Sequence, residues 1–324
     1  MDIEKLKKEL QPLDTNNTHS QAVMEYFQFY GLDLATEHLF GTFKSGEFTL
    51  CGHIFKPKEY KATAIIVHGY TMHCGLLSKL IKSLTEADFA VAVFDLPGHG
   101  LSSGERTAID NFSQYNDCLA DFVNAIRPYV KAPYHLIGHS TGAAIILDYI
   151  LSDREDYFDK VILAAPLERS DWWLLSKIGF SICRHFCDNL PRVFRNISSD
   201  KDFLNFLQYH DPLSAKSFSL KWVGAMFEWD KRIEGKNEKN RSITHSTGSG
   251  QAVAALNKEL NRPILVIQGT KDNIVDWKYN VPLIMSKFHD CEVELIENAR
   301  HELFNESQQY RDEVFSLIKD YLTK

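Results

Sequence analysis

Residues 138–142, Gly-His-Ser-Thr-Gly, set Ser140 between two glycines, directly after the apolar run 134–137 and directly before another at 143–150. A serine hydroxyl is a poor nucleophile until a base takes its proton and a third group orients that base. A sharp strand-to-helix turn can hold such an oxygen at the tip of a sheet, and glycines on both sides give that turn the room it needs. The spacing predicts Ser140 as the nucleophile of an acyl transfer. The rest of the chain must then supply a base, an acid and donors for an oxyanion.

Downstream of Ser140, two segments end predicted strands with the required side chains. "GTKDNIV" carries Asp272 and "NARHELF" carries His301. The order Ser, Asp, His, with each residue at a strand end, is the arrangement that lets three loops converge at one sheet edge. Asp276 and Glu297 are the alternative acids. His185, His210, His245 and His289 also follow the serine, but none ends a predicted core strand. For the oxyanion, one backbone N–H is expected from Thr141. The other is expected from Tyr70, in "HGYT", where Gly69 permits close approach. His68 is expected to brace that loop, and His99, in a Gly-Pro turn, to be structural. Cys74 lies near the expected hole but has no elbow around it.

These residues need a scaffold. A strand pair is expected over 38–57 around Ser45–Gly46, then strands at 62–70, 89–100, 134–140, 159–166 and 262–272. Helical segments at 75–87, 110–129, 141–151 and 278–288 alternate with them, and 291–302 leads to a closing helix. That alternation predicts an α/β fold with a mostly parallel sheet and helices on both faces. From 167 to 250 the rhythm breaks into helical segments with no convincing strand. The expected organisation is a core in two parts, 1–166 and 251–324, with a helical cap at 167–250. The cap holds 13 Lys+Arg against 10 Asp+Glu and four of the five tryptophans. It is therefore slightly basic over an acidic core.

A net charge of −7 argues against a nucleic-acid binder. The six cysteines form no dense framework, which points to free thiols in a reducing compartment. Cys183, His185 and Cys187 lack a second ligand pair, so no metal is expected, and no cofactor either. The charged start, "MDIEKLKKELQPLD", reads as a short solvated helix stopped at Pro12 rather than a signal peptide. No stretch approaches the roughly 20 apolar residues of a membrane span. A cytoplasmic protein is expected, with peripheral membrane contact through the cap.

With these residues in view, the chain resembles the α/β-hydrolases of the lysophospholipase and monoacylglycerol lipase group, which includes serine aminopeptidase-like members. "IIVHGYTMHCGLLSKLI", "VFDLPGHGLSSGER", "FSQYNDCLADF", "HLIGHSTGA", "VILAAP", "ILVIQGTKDNIVD" and "NARHELFNE" carry the resemblance across roughly residues 60–310. It implies the α/β-hydrolase fold, with Ser140 as nucleophile, Asp272 as acid, His301 as base, and Tyr70 and Thr141 as the hole. Two positions depart from the group. Met72 stands where many members have an acidic residue before the histidine matching His73, and Thr141 stands where the residue is often Met.

The resulting expectation is a serine ester hydrolase that cleaves a monoacyl lipid-like ester, a lysophospholipid or a monoacylglycerol, through an acyl-enzyme. Trp172 and Trp173 are the expected substrate contacts, although cap tryptophans equally suit ordinary packing. The alternative is a proline-iminopeptidase-like serine aminopeptidase. That enzyme needs carboxylates for a substrate amine, for which Glu228, Asp230 and Glu234 are the candidates.

Overall fold

The protein is described by a computed structural model covering residues 1–14, 18–152, 154, 157–243 and 262–324, with the backbone alone for 234–243. Short runs of apolar residues make its central strands: β3 (Ala62–Val67), β4 (Phe89–Phe94), β5 (Tyr134–His139) and β9 (Ile264–Gly269) are buried at every position. Such runs suit strands covered on both faces, which is why they are continuous rather than alternating. With β1 (Glu37–Ser45), β2 (Phe48–Lys56), β6 (Phe158–Ala164) and β10 (Cys291–Ile296), they form one sheet in the order β1-β2-β4-β3-β5-β6-β9-β10. Only β2 runs against its neighbours. It pairs antiparallel with β1 across a turn at Gly46 (φ +52°) and antiparallel with β4.

Helices cover both faces. On one, α4 (Gln114–Ile126) and α5 (Thr141–Ile150) pack Leu119, Phe122, Ile145 and Ile146 against Val161 and Leu163. On the other, α2 (Gln21–Tyr30), α3 (Ser78–Thr85) and the C-terminal helix (Gln308–Thr323) pack Phe27, Ile81, Leu84 and Ile318 against Ile66 and Ile137. The N-terminal helix α1 (Ile3–Lys8) is as short as expected, but it is anchored by the fully buried Leu6. Among the described residues no helix is long and apolar enough to cross a membrane.

After β6 the chain leaves the sheet, and it returns at β9. The insert contains α6 (Trp173–Cys183), α7 (Lys201–Asn205) and α8 (Leu220–Ile243). It is not all helical. β7 (Asn189–Pro191) pairs antiparallel with β8 (Ser217–Ser219), which corrects the expectation of an insert without strands. Three residues are too few for an alternating pattern to register, and Pro191 argues against a strand unless it lies at an edge. The expected end of the insert at 250 lies outside the described residues.

Candidate active site

β5 ends at His139 and α5 begins at Thr141, so the whole change of direction falls on Ser140. Its backbone is held at φ +53°, ψ −114°, a conformation non-glycine residues rarely adopt. The flanking glycines make this geometry possible. A Cβ on Gly142 would lie 2.0 Å from the Val67 carbonyl oxygen, and one on Gly138 would lie 2.6 Å from the Ala143 backbone.

His301 follows β10, and its Nε2 lies 3.0 Å from Ser140 Oγ. Its Nδ1 donates to Asp272 Oδ2 at 2.7 Å, which leaves Nε2 free to accept the serine proton. Asp272 follows β9 and is fixed in turn. Its Oδ1 accepts from the amides of Ile274 (2.8 Å) and Val275 (3.2 Å), and its Oδ2 accepts from Gln268 Nε2 (3.1 Å). Burial opposes charge on both groups. The pairing outweighs it, so His301 is raised above its ordinary value and Asp272 is lowered below its own. From behind, His139 Nε2 donates to the His301 carbonyl at 2.9 Å.

Val67 and Gly138 are register partners, so the loop after β3 lies beside the elbow. Gly69 lets it come close, since a Cβ there would sit 3.0 Å from His139 Nδ1 and 3.3 Å from Ser140 Cβ. Tyr70 and Thr141 line the same cavity as Ser140 and His301. Neither has its N–H bonded to a protein acceptor among the described residues. His68 ties this loop down. Its Nε2 accepts from Leu96 N at 3.0 Å and its Nδ1 donates to Gly69 O at 2.8 Å, while burial lowers its pKa to about 4. Tyr70 is held through its side chain, which donates to Thr107 O (2.8 Å), accepts from Ser219 N (3.0 Å) and stacks on Trp222 at 3.7 Å. His99 is buried in its turn, with Nδ1 donating to Pro97 O. Burial, with Asp95 nearby, pushes the Cys74 thiol up and makes it a poor nucleophile.

The cavity over Ser140 is about 470 Å³, within the range of small-molecule sites. Leu190, Phe218, Trp222, Val223 and Met226 of the insert give it an apolar wall. Trp172 and Trp173 do not line it, which corrects their expected role. Trp172, whose φ is +61°, is 64% exposed. Trp173 packs edge-on against Phe227 at 4.8 Å, with the Lys177 ammonium 4.9 Å from its ring. Trp222, Val223 and Met226 were detectable as an i, i+1, i+4 apolar face of α8.

The remaining candidates lie elsewhere. Asp276 caps the helix Trp277–Lys287, Glu297 is exposed, and His185, His210 and His289 are exposed. His245 lies outside the described residues. Of the carboxylates considered for an amine, Asp230 is fully buried and paired with Arg169 and Lys177, and Glu228 is paired with Lys231. The Glu234 side chain lies outside the described residues.

A central, mostly parallel sheet with a serine–histidine–aspartate array at its carboxyl edge defines an α/β-hydrolase. Residues 58–308 match the family described as serine aminopeptidase, S33. The monoglyceride lipase of Rattus norvegicus is 32% identical over 86% of this chain and 88% of its own. The probable lysophospholipase L2 of Haemophilus influenzae is 23% identical over 83% and 87%. In three dimensions the chain is similar to a soluble variant of monoglyceride lipase from Saccharomyces cerevisiae solved with a substrate analog. That match has a TM-score of 0.71 and 18% identity, covering 87% of this chain and 93% of that one. The chain belongs to the serine aminopeptidase S33 family of α/β-hydrolases.

Proposed function

We propose that this protein cleaves monoacyl lipid-like esters, monoacylglycerols or lysophospholipids, through an acyl-enzyme on Ser140. It is a serine carboxylic-ester hydrolase, and the finer reading concerns how and on what it acts. Ser140 Oγ attacks the ester carbonyl carbon as His301 Nε2 takes its proton. Asp272 holds the imidazole in the tautomer that can do so and stabilises the imidazolium that results. The N–H groups of Tyr70 and Thr141 receive the oxyanion. Collapse of the tetrahedral intermediate expels the alcohol with the proton from His301, and water then releases the acid by the same steps in reverse order.

The observation that carries this reading is the relay of 3.0 and 2.7 Å from Ser140 through His301 to Asp272, opening on an apolar-walled cavity. Residues 167–250 act as the cap, with Trp222, Val223 and Met226 against the acyl chain. The cap also meets the membrane surface through α6, where Leu174 (70% exposed), Leu175, Ile178 and Ile182 share one solvent-facing arc of the helix. Ser176, on the opposite side of that helix, lines the cavity. Six free cysteines, three of them buried, support a cytoplasmic site of action. Asp230 and Glu228 are already paired, which weighs against the aminopeptidase reading.

The test is turnover of monoacylglycerol and lysophospholipid against alanyl and prolyl anilides, with Ser140→Ala beside the native protein. Loss of the nucleophile should cost on the order of 10⁶ in kcat, and an organophosphonate should label Ser140 alone. Faster anilide cleavage, or an alanine variant that keeps a few per cent of esterase activity, would overturn the proposal.

A further inference from the structure

Arg192 lies immediately after β7 and lines the cavity that holds Ser140. Its Nη1 donates only to neutral acceptors at long range: Thr71 O (3.5 Å), Ser214 Oγ (3.4 Å) and Ala215 O (3.3 Å). Among the described residues no carboxylate lies within 4.0 Å of its guanidinium. Several other cations of the insert are matched: Arg169 and Lys177 with Asp230, Lys221 with Asp110, and Arg232 with Asp148. The two carboxylates whose fields reach Arg192 are Asp211 and Glu302, and both are committed elsewhere. Asp211 is bonded to His73 (3.0 Å) and Tyr30 (2.6 Å), and Glu302 accepts from Asn305 (3.2 Å).

A partly buried cation without a counter-ion is costly to hold. Burial lowers the Arg192 pKa to about 10, which leaves it charged at neutral pH. Arg195, three residues on, lines the same cavity and donates only to Asn273 O (3.1 Å). The planar guanidinium fork matches a phosphate group. Its place is also informative. Thr71, which accepts from Arg192, directly follows Tyr70, so the charge sits on the loop that borders the elbow. An acyl chain gains nothing from a cation, whereas an anionic group on the alcohol half of the ester does.

Resting on the ester-hydrolase reading, we propose that Arg192, with Arg195 beside it, is the residue that selects the head group. It receives the phosphate on the alcohol half of a lysophospholipid while the acyl chain lies against Trp222, Val223 and Met226.

The experiment compares kcat/KM on a 1-acyl lysophosphatidylcholine and on the monoacylglycerol with the same acyl chain, in mixed micelles of one neutral detergent. The native protein should favour the phosphate-bearing lipid. Arg192→Gln should lower that ratio at least about tenfold, mainly through KM, and Arg192→Lys should restore part of it. If Arg192 merely rivets the insert to the loop, the two lipids will lose rate equally and the ratio will not move. That result overturns the proposal. A neutral-alcohol ester whose acyl chain ends in a carboxylate covers the other source of negative charge. A larger Arg192 effect on that ester would also overturn it.

Because a substituted protein can fail to fold, calorimetry on the native chain gives a second readout. Glycerol 3-phosphate should bind at least about tenfold more tightly than glycerol, and equal binding overturns the proposal. The two readings fail differently. Ester hydrolysis without head-group preference removes only the role of Arg192, whereas no ester hydrolysis at all removes the reading beneath it.

Discussion

His301 is buried, a setting that disfavours its charged form, yet the Asp272 carboxylate, by charge and hydrogen bond, and Glu302 lift it above an ordinary histidine. Only the neutral imidazole can accept the Ser140 proton. Activity should therefore be lost as pH falls through the raised His301 value, and kcat/KM should climb with a midpoint above about 6.5. In Asp272→Asn the larger raising influence is gone, while burial and the smaller effect of Glu302 remain. The limb should then move to lower pH while kcat drops by up to about 10⁴, because the amide no longer fixes the tautomer. Asn at 276 and Gln at 297 should change neither quantity, and a pH–rate series on four purified proteins decides it. At this scale the array was legible because each member carries a local mark: the glycine pair around Ser140, and strand ends before Asp272 and His301. Arg192 had no such mark. What singles it out, with Arg195 beside it, is a place in the cavity over Ser140 with no carboxylate in ion-pair reach among the described residues, and both are properties of the fold.

Elements were legible where burial is complete. β3, β4, β5 and β9 are unbroken apolar runs because both faces are covered, and that pattern survives in the sequence. α2 was missed even though Ser20 caps Val23 and Gly31 closes the helix in the left-handed region, a start and stop pair that could have been read. The insert hid more, since its short strands and the directions of Trp172 and Trp173 at the start of α6 are set by packing rather than by period. The wall formed by α8, rather than Trp172 and Trp173, leads to a prediction about the acyl chain. On soluble esters of increasing acyl length, kcat/KM should rise by up to about 0.8 kcal/mol per buried methylene, about fourfold each, until the cavity is full. Trp222→Ala should flatten that climb. It should also slow short esters, because the indole supports the Tyr70 ring at 3.7 Å. Met226→Ala should flatten the climb alone, and the Trp172→Ala/Trp173→Ala double variant should leave its slope unchanged. A slope that follows Trp172 and Trp173 instead would mean that the chain runs along the other side of the insert.

At the scale of the whole molecule, a protein of net charge −7 presents an apolar surface on its slightly basic insert. Leu174, Leu175, Ile178 and Ile182 fall within one arc of α6, and none of the helix's residues is buried. Trp172 and Phe186 extend the exposure beyond the two ends of the helix. A contiguous exposed apolar surface of this kind usually marks a contact, and Ser176 on the inner side of the same helix lines the cavity over Ser140, so under the proposed function α6 is the side that would meet a membrane. Each side chain passing from water into the lipid interface should contribute on the order of 1 kcal/mol. Replacing Leu174, Ile178 and Ile182 together by serine should therefore weaken vesicle binding about a hundredfold. These positions face away from Phe227, which Trp173 and Phe180 contact from the inner side of α6, so the fold should persist. The triple variant should hydrolyse a soluble butyrate ester at the native rate and lose activity only on substrate held in bilayers. The basic excess of the insert is small, so binding should respond weakly to salt and strongly to the loss of apolar area. Co-sedimentation with neutral and anionic vesicles, at low and high ionic strength, separates the two contributions. Native-like binding by the serine variant, or binding abolished by salt alone, would place the membrane contact on another face.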